Sequence, residues 1–143
     1  MKLKSSPGWL RVIASMFYDS LLLLAIFFTV TFPFILIFGN ATQAPQRYYF
    51  QVYLWLIAGA YFIWCWYRGG QSPAMKVWRI KVVNQQGSPI NLAQSVRRYV
   101  LASFGLILCG AGFLWAFFDR EGLFMHDRLT GSRLILIEKP ASK

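Results

Sequence analysis

Acidic residues are scarce in this chain. Five Asp and Glu stand against fifteen Lys and Arg, giving a net charge of +10 over 143 residues. Such a balance raises nucleic acid as a partner, but the basic residues flank long apolar runs and no nucleic-acid motif accompanies them, so none is expected. Histidine occurs once, and a catalytic metal site built on His126 and the adjacent Asp127 lacks ligands. Cys65 and Cys109 sit inside apolar runs without CxxC or Cys/His spacing and read as small hydrophobes. A Gly-rich phosphate loop, a GxSxG elbow and a supported Cys/His pair are all missing. We expect no enzyme, no cofactor and no metal.

Apolar residues are plentiful: 57% of the chain is hydrophobic and 18% aromatic, too much for a soluble domain of this size. They gather in three segments, about 9–38, 48–67 and 99–118, with a basic stretch over 68–98. The expected fold is an all-α membrane protein, residues 1–143 forming a single domain. It has two transmembrane helices, a third hydrophobic segment that is re-entrant or spanning, and a small cytoplasmic β-strand pair. The first run is longer than a signal-peptide core and contains Asp19, so it reads as an uncleaved anchor. Ser6 and Pro7 are its expected N-cap and first helical position, and Pro33 lies near its far end. Lys2, Lys4 and Arg11 precede or open this run, only Arg47 lies in the first loop, and six bases without an acid occupy 68–98. The positive-inside rule therefore puts the N-terminus in the cytoplasm.

Val77 to Val83 and Arg133 to Glu138 both read as strands, and each needs a partner for its backbone, so they are expected to pair. Pairing puts both ends of the third run on one side. Three crossings would not, so a third segment that enters and returns, bending at Gly105, Gly110 and Gly112, is favoured over a simple span. The C-terminus is then cytoplasmic too.

Asp19 is the main site candidate, because a carboxylate within a membrane helix is expensive and faces other helices or a polar cavity. Arg11, Ser15 and Asp19 follow at i, i+4 spacing on one broad face. Arg11 and Asp19 are about 12 Å apart along the axis, too far for a direct salt bridge, so another segment should supply the partner. Asp19 reads either as an ion- or proton-binding carboxylate or as half of a structural pair locking helices together. Arg97 and Arg98 open the third run; one is expected to reach lipid phosphate and the other to pair with Asp127, but spacing does not say which.

The sequence resembles a known family. Arg11 and Asp19, G-G-Q-S-P-A-M-K-V-W-R-I-K-V-V at Gly69 to Val83, Arg98, and F-L-W-A-F-F-D followed by H-D-R-L-T-G-S-R-L look like the RDD family of small bacterial membrane proteins. The resemblance covers nearly the whole chain. It implies that the name-giving arginine and aspartates are Arg11, Asp19 and Asp127, with Asp119 the other candidate. Ala74 stands where the family often has a second glycine, which questions any backbone there that needs positive φ. The resemblance also implies an integral protein of the bacterial inner membrane, with cation/proton antiport attributed to some members. Two functions follow: a small-ion transporter centred on Asp19, with a homo-oligomer as one source of a second acidic site, or a non-transporting scaffold whose basic face grips anionic lipid headgroups. Arg11, Asp19 and Asp127 are the principal candidates for ion binding or helix locking, and Ser15, Arg97, Arg98, Asp119 and His126 support them.

Overall fold

The computed structural model describes residues 7–108, 114–115, 118–119 and 125–137. Helix α1 spans Trp9–Phe38, thirty residues that rise about 45 Å, more than the roughly 30 Å of a bilayer's hydrocarbon core. Many of its apolar side chains point away from the rest of the chain: Phe17, Phe28, Phe32 and Ile37 are all exposed. The hydroxyls of Ser20, Thr29 and Thr31 donate to carbonyls one turn back, so they are satisfied within the helix. Pro33 does not end the helix, which continues to Gly39. Beside it Phe34 is buried against Phe50 and Tyr53 of the next helix. At the near end the N-cap is Gly8; the expected cap, Ser6, lies outside the described residues.

Helix α2, Gln46–Gly69, runs back along α1 and is also long and apolar enough to cross a membrane. It ends at Gly70 in the left-handed conformation, φ 67°, where a side chain would also collide with the Val82 carbonyl. The chain then turns at once into α3, Pro73–Val77, capped by the Ser72 hydroxyl with Pro73 in its first turn. Ala74 is therefore helical and fully buried, and positive φ falls instead on Gly70 and Arg79.

Strand β1, Ile80–Asn84, pairs antiparallel with β2, Ser132–Leu136, as expected, with Ile80 opposite Leu136 and Asn84 opposite Ser132. The first strand starts later than expected because the Ser72 cap and Pro73 draw residues through Val77 into a helical turn. Ile80, Val82 and Val83 are almost fully buried.

Between the strands lies α4, Leu92–Ile107, opened by a reciprocal capping box between Asn91 and Gln94. It crosses α2 closely at Gly59, where an added Cβ would lie 2.7 Å from the Tyr99 ring. The Tyr99 hydroxyl donates to the Trp55 carbonyl at 2.7 Å. A short helix α5, Met125–Thr130, packs on α4 and leads into β2. Whether the third apolar run crosses or returns depends on 109–113 and 116–117, outside the described residues, as are Cys109, Gly110 and Gly112. The two termini, with Lys2, Lys4 and Lys143, are outside them as well.

Candidate functional site

The structure separates the candidate residues into two buried clusters. The first is built on Asp19. At 100° per residue, Val12 lies within about 20° of Asp19 around α1, whereas Arg11 lies about 80° away. Accordingly Val12, Ser15 and Asp19 form the buried stripe and Arg11 is exposed. The partners of Asp19 are hydroxyls rather than an arginine. Ser72 Oγ donates to Asp19 Oδ2 at 2.6 Å, and Tyr61 donates to Oδ1 at 3.5 Å. Ser72 thus does two things with one oxygen: it accepts from the Met75 backbone N–H, capping α3, and donates to Asp19. With 7% of its surface exposed, Asp19 has no basic side chain paired with it among the described residues.

The second cluster is built on Asp127, at 1% exposure, and Arg98, at 4%. Their side chains form a direct ion pair. Ser132 Oγ stands between them, accepting from Arg98 Nη1 at 2.9 Å and lying 3.2 Å from Asp127 Oδ1, and Thr130 Oγ1 is 2.8 Å from it. The guanidinium lies over the Trp66 ring, 4.9 Å from its centroid. Burial draws Arg98 from its ordinary 12.5 down to about 9, still cationic at neutral pH. Burial, helped by the Arg98 charge, pushes His126 down to about 2, so its imidazole stays neutral.

This answers which arginine turns inward. Arg98 does, and Arg97, one residue earlier, is exposed with its Nε against the Ala93 carbonyl. Asp119, the other candidate aspartate, pairs with the exposed Arg128. Among the described residues no three His, Cys, Asp or Glu side chains gather as a metal site requires.

A cavity of about 530 Å³ opens between α1, α2 and α4. Its walls are mostly apolar and aromatic, with Phe27, Trp55, Phe62 and Trp66 among them, and Asp19, Arg98 and His126 reach it as well. The two clusters therefore meet at one space. Sequence reasoning missed Ser72, Tyr61, Ser132 and Trp66. For Ser72 a signal existed, since Ser followed by Pro is a helix-start pattern. For Tyr61, one of many aromatics on α2, there was none.

The sequence profile of the RDD family matches residues 6–131. No curated protein and no solved structure matches the chain significantly.

Proposed function

This chain belongs to the RDD family, and from that premise together with its two apolar helices, which mark it as a membrane protein, we propose that it exchanges a small cation for protons at Asp19. One observation carries the reading: Asp19 is a buried carboxylate that faces a cavity and, among the described residues, is held by neutral hydroxyls alone. Ser72 and Tyr61 orient it without cancelling its charge. The remaining charge is free to bind either a proton or a cation, and the two exclude each other. Arg98 has its own carboxylate and does not compete.

The proposed setting is the bacterial inner membrane, crossed by α1 and α2, with the strand pair and both termini in the cytoplasm. Exposed Arg68, Lys76, Arg79 and Arg97 near the strand-pair end support that orientation. The third run is proposed to return. The β1–β2 pairing and the Arg98–Asp127 ion pair support this by tying the start of α4 to the segment that follows the run.

The test is cation-dependent proton flux in proteoliposomes, driven in turn by sodium, potassium and an organic cation, wild type against Asp19→Asn, with equal insertion confirmed for both. Flux in wild type and none in the variant is the expected result. The second reading, a non-transporting scaffold on anionic lipid, is favoured by the same hydrogen bonds, which join α1 to α2 and to the start of α3. Absence of flux in wild type across pH would favour the scaffold.

A further inference from the structure

We propose that the cation taken at Asp19 is organic and lipophilic, a charge carried on an apolar and aromatic body, bound in the cavity between α1, α2 and α4. The proposal rests on Asp19 being an exchangeable carboxylate and adds the class of ligand.

The argument begins with what the cavity offers a cation. A bare metal ion exchanges its hydration shell for several oxygen ligands. Here the oxygens are few and concentrated near one carboxylate, while the rest of the wall is apolar. Such a wall solvates a metal ion poorly but suits a cation already shielded by hydrocarbon. The volume, about 530 Å³, falls within the roughly 300–1,000 Å³ of sites for drug-sized molecules. Trp55, Phe62, Trp66 and Tyr99 are among its lining residues, aromatic bodies that pack against the apolar groups of such a cation.

Charge points the same way. Facing Asp19 are Tyr61 and Cys65 of α2 and the Ser72 hydroxyl, with Lys76 of α3 near Cys65 but exposed to solvent and outside the cavity wall; Arg98 of α4 and His126 of α5 line the same cavity. Arg98 is neutralised by Asp127 and His126 is uncharged. Among the described residues that line the cavity, the ionised Asp19 is then the unbalanced charge, and they are net negative. A cation entering it restores neutrality, as a proton on Asp19 does, so the two compete for one site.

The probe is tetraphenylphosphonium, measured by equilibrium dialysis against the purified full-length chain in detergent at about pH 8 and about pH 5.5. Saturable binding at the higher pH is expected, and binding should release protons only as the pH is lowered into the range where Asp19 carries one. Binding should weaken at the lower pH, and by about tenfold or more in Asp19→Asn and in Ala102→Phe, which fills the cavity from α4. Tetraphenylborate, of the same shape and opposite charge, should not displace the probe. Undiminished binding to Asp19→Asn would overturn the proposal. So would displacement by tetraphenylborate, which would make the cavity a groove for any apolar chain, or the absence of saturable binding to wild type. Should Asp19→Asn fail to fold, Ala102→Phe and the pH dependence decide. Alkali-dependent proton flux without phosphonium binding would overturn this ligand class and leave exchange at Asp19 standing. Phosphonium binding without any proton flux would support the ligand class and end the transport reading.

Discussion

Asp19 and Asp127 are both buried carboxylates, and each belongs to a cluster that reaches one cavity, Asp19 directly and Asp127 through its partner Arg98, yet their surroundings treat them differently. Asp127 faces a guanidinium. Asp19 faces two hydroxyls, from Ser72 and Tyr61. A carboxylate matched by a fixed cation has little to gain from a mobile one, and its removal strands the partner charge. One matched only by dipoles keeps its charge, and exchanging it leaves no uncompensated ion behind. The contrast assigns architecture to Asp127 and chemistry to Asp19, and it is open to direct attack.

The largest effect should come from the architectural side. Asp127→Ala leaves Arg98 buried without a counter-ion, and breaking a buried pair in this way costs about 3–5 kcal/mol. Thermal unfolding in detergent should show the loss. The double variant Arg98→Met with Asp127→Ala should recover most of it, because no stranded charge remains. If the double variant is as unstable as the single, packing against Trp66 rather than charge holds this cluster together.

A smaller effect, about 2 kcal/mol, should appear on acidification to about pH 5, and it belongs to His126. In the unfolded chain its imidazole takes a proton below about pH 6.5, whereas in the folded chain it resists to about 2. Between those values the unfolded state binds more protons, so stability is full above about pH 6.5 and falls as pH falls. His126→Gln should flatten that part of the profile. An unchanged slope in the variant would move the acid sensitivity to the carboxylates.

What the sequence made legible depended on whether a signal was local. The two long helices and the strand pair were visible because each is a continuous pattern, uncharged in one case and rich in β-branched residues in the other. The start of α4 also carries a local pattern, Asn91 with Gln94 three residues on. The partner of Asp127 was legible only as a pair of candidates: Arg97 and Arg98 differ by about 100° around one helix, and nothing in the pattern fixed its rotation. The partner of Asp19 was expected from another segment, but its identity stayed open because a sequence does not display which distant side chain arrives. The partner that the fold supplies, Ser72, caps a five-residue helix that lies just ahead of the expected strand and shares only Val77 with it. A sequence-distant contact between two side chains leaves no periodicity to find.

The finest test of the contrast compares the two hydroxyls on Asp19. Ser72 lies at 2.6 Å, is fully buried and also caps α3, so Ser72→Ala should remove a charge-assisted bond and a helix cap together, about 1–2 kcal/mol. Tyr61 lies at 3.5 Å, the outer limit of a hydrogen bond, so Tyr61→Phe should cost under about 1 kcal/mol. Thermal unfolding ranks the two. Their effects on exchange should fall in the same order, because each hydroxyl stabilises the ionised carboxylate in proportion to how closely it approaches. A variant at Tyr61 more damaging to flux than to stability would give that phenol a part in moving the proton, beyond holding Asp19 in place.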